Sequence, residues 1–229
     1  MKAERHPREY FDKFSDRPVE IRPFDPESKQ QSLHYLESLN EILFPFGVSA
    51  KLFGSVELEI DGKGEWEFEI LLNDDQWYPV LTKLINHFGG VYILIDDFAV
   101  FGDTCGETEI EVIPLRGECA LRNQAIMEFW RNNSNALKEY EQGKYQNSHS
   151  KREYYWWKQN FIADIWNRYE QVSPTVCRFA PEPTASTAPH QSTEVLCIAL
   201  YNAFVPHPLI IRYTSRGGLS PVFHPLGYK

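Results

Sequence analysis

The sequence predicts an α+β fold: a small mixed sheet of about five strands, helices packed against it, and a helical C-terminal subdomain. Three observations carry this reading. Period-two alternation marks 48–53, 65–70 and 108–113 as strands. Apolar stripes at helical spacing run through 33–43 and 77–88. From about 119 to 170 the pattern is helical without a strand signal.

Residues 1–17 are polar and charged and read as a flexible N-terminal extension. Residues 19–24 alternate and suggest a short strand. Asp25-Pro26-Glu27 is a helix start, with an N-cap acid and a proline at the first helical position. Leu33, Leu36, Leu39, Ile42 and Leu43 continue it to about residue 43. After the strand at 48–53, a second strand covers 65–70. Trp77, Val80, Leu81, Leu84, Ile85 and Phe88 define a helix over 75–88 that stops at Gly89-Gly90. A hairpin across Asp96-Asp97 joins 91–95 to 98–101, and 108–113 ends at Pro114. Helices follow at 119–132, 134–142 and 150–170. The last carries Tyr154, Trp157, Phe161, Ile162, Ile165, Trp166 and Tyr169 on one face, with Lys158 in its middle. After Gln171 the composition turns Pro-rich, notably at 181–189. The domain therefore spans 18–170, and 171–229 is a Pro-rich linker with a weakly structured tail.

The 229 residues, 42% hydrophobic and 14% aromatic, suffice for one ordinary core and exclude wholesale disorder. A formal net charge of −9 argues against sequence-independent binding of duplex nucleic acid, which needs clustered Lys and Arg. A small phosphorylated ligand remains compatible, because a local site can oppose the global charge. The cysteines at 105, 119, 177 and 197 form no Cys-x-x-Cys pair and read as reduced thiols. No signal core is seen, and no apolar run reaches the ~20 residues of a membrane span. The longest candidate, 195–211, is interrupted by Asn202, Pro206, His207 and Pro208. A cytoplasmic location without membrane association is expected.

The chemistry concentrates at two acidic strands beside a Gly54-Ser55 turn. Glu65, Glu67 and Glu69 alternate with Trp66, Phe68 and Ile70, so the three carboxylates share one face. Glu107, Glu109 and Glu111 repeat the pattern. Like charges in a row cost stability unless water or a cation offsets them. One reading is a metal centre. The other is a solvated acidic face on a hairpin that turns at Asp61-Gly62-Lys63-Gly64 and pairs 56–60 with 65–70. That pairing sets Glu57 or Glu59 opposite Glu65 or Glu67. Lys158, on an apolar stripe, either snorkels or meets an anion, whether a carboxylate or a ligand phosphate.

Five segments in collinear order resemble the GrpB family, a branch of the nucleotidyltransferase fold. They are Val19-Glu-Ile-Arg-Pro-Phe-Asp-Pro-Glu27, Gly54-Ser55, the strand with Glu69, Leu137-Lys-Glu-Tyr-Glu141, and Tyr154-x-x-x-Lys158-x-x-Phe161-Ile162. Together they cover roughly 18–168. The chain is a divergent member by this comparison: Val56 follows Gly-Ser where the family has threonine, and Glu111 stands where it has histidine. The resemblance implies Mg²⁺ (or Mn²⁺) held by Glu67 and Glu69 with Glu109 or Glu111, two cations in the general scheme. Glu67, Glu69 and Glu111 would be catalytic, and Gly54, Ser55 and Lys158 would meet a nucleoside triphosphate, with an unknown acceptor. The alternative is a catalytically degenerate nucleotide-binding or protein-interaction module.

Overall fold

The computed structural model describes residues 5–172. The linker and tail expected after Gln171 lie, beyond Val172, outside the described residues. Asp25 caps α1 (Pro26–Leu43), accepting a hydrogen bond from the Glu27 amide at 2.9 Å. A 3-10 turn over Phe44–Phe46 leads into β1 (Ala50–Phe53) and then α2 (Gly54–Glu57), a single helical turn. β2 (Trp66–Leu71) follows, then α3 (Asp74–Phe88). The Gln76 side chain reaches back to accept from the Asn73 amide at the start of α3. Its end is Gly89 at φ 76°, a left-handed cap that glycine adopts without penalty. β3 (Ile93–Ile95), β4 (Phe98–Cys105) and β5 (Thr108–Leu115) form a meander, followed by α4 (Gly117–Asn132), α5 (Ser134–Asn147) and α6 (Lys151–Val172).

The five strands form one mixed sheet in the order β1-β2-β5-β4-β3. Only the β2–β5 pair is parallel; the other three pairs are antiparallel. One sheet face carries Leu52, Trp66, Phe68, Ile70, Phe101 and Val112, packed with Leu39 and Leu43 of α1 and with Trp77, Val80 and Leu84 of α3. Each such side chain contributes on the order of 1.5–3 kcal/mol when fully buried. The Tyr35 hydroxyl donates to Asp103 at 2.7 Å and so ties α1 to β4. Burial first, and then this bond, raises the Tyr35 pKa above the usual phenol range.

The described residues divide into two compact units. One is Val19–Ala120 and holds the sheet; the other combines residues 5–18 with 121–172. The α+β class and the mixed sheet are as expected, but three local expectations are corrected. Residues 19–24 form no strand, only a bridge between Arg22 and Gly62, because Pro23 has no N–H with which to extend a ladder. The segment 56–60 does not pair with 65–70. Residues 54–57 are helical, Glu59 sits at φ 55°, and β1 occupies that edge of β2. The N-terminal segment forms a 3-10 helix, Arg8–Lys13, in the helical unit. Phe11 is 0% exposed, 5.5 Å from the ring of Trp156, and Phe14 lies 4.9 Å from that of Tyr155. Ion pairs Arg5–Asp164 and Arg8–Glu153 join the same elements.

Cys105 is a free, exposed thiol. Among the described residues no helix is long and apolar enough to cross a membrane.

Phe11→Ala should destabilise the protein by about 3–5 kcal/mol, the usual cost of emptying a buried phenylalanine site. Urea unfolding followed by tryptophan fluorescence measures this. A loss below about 0.5 kcal/mol, typical of a surface change, would show the segment to be a loose extension.

Candidate metal centre

β2 and β5 run parallel with Glu67 directly beside Glu111 and Trp66 beside Ile110. Side chains at paired positions point to the same face. The aromatic set of β2 enters the core, so its acids are turned to the opposite face beside those of β5. One carboxylate oxygen from each of Glu65, Glu67 and Glu111 lies within 4.8 Å of the others. Glu67 is 8% exposed and Glu69 7%, and Glu65 and Glu111 are half-buried. This is not a water-washed acidic face.

The flanking strands complete the row. Phe53 of β1 pairs with Glu67 on one side, and Gly102 of β4 pairs with Glu111 on the other. A Cβ on Gly102 would fall 1.8 Å from the Tyr92 ring, so that ring lies over the sheet at the end of the row. The turn after β1 then brings Gly54 against Glu67. Gly54 has φ 71°, and a Cβ there would stand 1.8 Å from Glu67 Oε2. The carboxylate thus fills the space that any other residue at 54 would need. Ser55 lies in the first turn of α2, where its carbonyl accepts from the Ile60 amide at 3.1 Å.

Lys63 supplies a cation at the cluster. Its Nζ is 2.6 Å from Glu65 Oε1, with side chains only 17% and 10% exposed. The loop carrying it is tied down. Arg22 and Gly62 exchange backbone hydrogen bonds of 2.7 and 3.0 Å, and the Phe24 amide donates to Asp61 Oδ1 at 2.8 Å. Lys29 pairs with Glu59 at 2.7 Å.

Of the residues singled out from the sequence, Glu67 and Glu111 stand side by side, and Gly54 abuts Glu67. Glu69 does not join them. It lies two residues along β2, roughly 7 Å away at ~3.3 Å per residue, beside Lys51 and Ile113. Glu109 is exposed, opposite Thr104. Lys158 is 7% exposed on α6, in the helical unit. Glu65 and Lys63 are not among the residues the sequence assigns to a cation or a nucleotide. The signal for Glu65 was present, since it begins the same alternation. Lys63 was hidden in a segment that reads as a turn.

Three carboxylates suit a hard divalent cation such as Mg²⁺ or Mn²⁺. Opposite ligands of octahedral Mg²⁺ lie ~4.2 Å apart, twice the bond of ~2.1 Å. The observed span of 4.8 Å is within a small side-chain adjustment of that value, so the donor set fits.

No family model matches this chain, and no curated protein matches it in sequence. Among solved structures, it is similar to the conserved protein GrpB from Enterococcus faecalis, with a TM-score of 0.55 and 16% identity over 67% of this chain and 98% of that one. The fold is therefore GrpB-like, as the collinear segments implied. A cytoplasmic RNA terminal U-transferase also matches, with a TM-score of 0.37 and 14% identity over 58% of this chain and 40% of that one. That likeness is too distant to support an argument.

Gly54→Ala should cost roughly 2–4 kcal/mol, because left-handed strain of ~1 kcal/mol adds to a clash with Glu67 of about 1–3 kcal/mol. Gly47→Ala is the reference: φ is 65° there, but nothing lies within 4 Å of the added carbon. Denaturant unfolding of both variants isolates the clash. Equal losses would mean that Glu67 does not depend on the space at Gly54.

Proposed function

We propose that this chain is a divalent-cation-dependent nucleotidyltransferase that transfers a nucleotidyl group from a nucleoside triphosphate to an acceptor hydroxyl. The observation that carries the proposal is the convergence of Glu65, Glu67 and Glu111 within 4.8 Å from two neighbouring strands, against the turn at Gly54. Glu67 and Glu111 would hold Mg²⁺ or Mn²⁺, with Glu65 beside them. When bound, such a cation offsets phosphate charge and makes an attached oxygen more acidic. The Gly54-Ser55 turn abuts Glu67, and its backbone and the Ser55 hydroxyl would meet a phosphate oxygen there. The partly buried setting strengthens every charge interaction at the cluster. Glu69, Glu109 and Lys158 have no assigned part in this proposal.

A specific observation favours a second reading, that of a nucleotide-binding or protein-interaction module without catalysis. The Lys63–Glu65 ion pair gives the acidic cluster a counter-charge of its own. Folding then does not require a metal to offset that corner.

Thermal unfolding with a panel of nucleoside triphosphates, with and without Mg²⁺ or Mn²⁺, tests the proposal, since a ligand of the native state must raise the melting temperature. A cation-dependent rise with at least one triphosphate is expected, together with pyrophosphate release when an acceptor is supplied. Glu67→Gln with Glu111→Gln should retain the fold and abolish the cation-dependent rise. A rise without pyrophosphate release under any acceptor would favour the second reading. No response to cation or nucleotide would overturn the first.

A further inference from the structure

Lys63 bears on how many cations the acidic cluster takes. We infer that Lys63 takes the place of a second metal ion, so that the centre binds one divalent cation per chain, at Glu67 and Glu111. The inference rests on the proposed metal-dependent function and specifies how its site is charged.

Two-metal centres place their ions about 3.5–4 Å apart, each ion sharing carboxylates with the other. Here the three carboxylates lie within 4.8 Å, and the Glu65 corner is held by an ammonium at 2.6 Å. A second dication bonded at ~2.1 Å to that same Glu65 oxygen would stand within about 5 Å of Lys63 Nζ. Like charges at that separation, in a half-buried site, repel strongly and are little screened by salt. Swinging Lys63 away would cost both its ion pair and its burial. Its side chain is only 17% exposed, and the backbone of its loop is fixed through Asp61 and Gly62.

An ammonium does part of what a second cation does. It places positive charge at the cluster and offers N–H donors to a phosphate oxygen. It cannot act as a Lewis acid on a bound water or hydroxyl. The centre thus separates two roles that a pair of metals shares. Glu67 and Glu111 would hold the ion that lends Lewis acidity, and Lys63 would add fixed charge.

The experiment is a Mn²⁺ titration of the full chain after chelator treatment, with free Mn²⁺ followed by its paramagnetic resonance signal. The native chain should bind one Mn²⁺. Lys63→Met should bind a second, and Lys63→Arg, which keeps the charge, should still bind one. Two ions on the native chain would overturn the inference while leaving the metal reading intact. One ion on Lys63→Met, at unchanged affinity and with circular dichroism showing a native fold, would also overturn it. Should Lys63→Met fail to fold, the native chain and Lys63→Arg decide: one ion on each supports the inference, and two on either overturns it. No binding to the native chain would overturn the metal-dependent function itself, and the inference with it.

Discussion

The parallel, in-register pairing of β2 with β5 is the constraint on which the rest of the centre depends. It commits Trp66, Phe68 and Ile70 of one strand and Ile110 and Val112 of the other to a shared core. The period-two rule then leaves Glu67 and Glu111 side by side on the opposite face. Neighbouring like charges on a sheet are unfavourable by roughly 0.2–1 kcal/mol per pair. The packing of the aromatic face outweighs this, since a single fully buried large side chain contributes more. Core packing therefore forces the acids together, and the acids determine what chemistry the face can perform.

The neighbouring elements respond to that arrangement. β1 lies against β2 with Phe53 beside Glu67, and its continuation must pass the Glu67 carboxylate at once. Only a residue without a Cβ passes there, and Gly54 does so in a left-handed conformation. The following loop returns Lys63 to Glu65 and is fastened to the segment before α1 by the Arg22–Gly62 bridge. Residues 19–24, which Pro23 keeps from extending as a strand, still hold that loop in place.

Element types were legible from local chemistry. Asp25-Pro26 and Gly89 mark helix ends through hydrogen-bonding and backbone preferences that act within a few residues. The alternation at 65–70 and 108–113 showed which residues share a face. It could not show which acids would meet, because that depends on register between strands about forty residues apart in the chain. Register sets Glu67 beside Glu111 and places Ile113, which is not an acid, beside Glu69. The hairpin read at 61–64 had good turn chemistry, yet β1 competed for the same strand edge and prevailed. The N-terminal segment misled in the opposite way. Its overall polarity concealed Phe11 and Phe14, two aromatic anchors spaced to bury together on α6.

The rings of Phe53 and Tyr92 bound the acidic row on its two lateral sides, and Glu69 closes the lengthwise direction with a buried carboxylate. The opposite lengthwise direction ends at Glu109 and Thr104, both exposed. Arg22 stands close enough to Glu107 and Glu109 to feel their charge, so this exposed end of the row carries both signs. Exposed charges are screened by dissolved salt, whereas buried ones such as Glu67 and Glu69 are screened far less. Ionic strength therefore acts on the open end of the row and leaves its buried part nearly untouched.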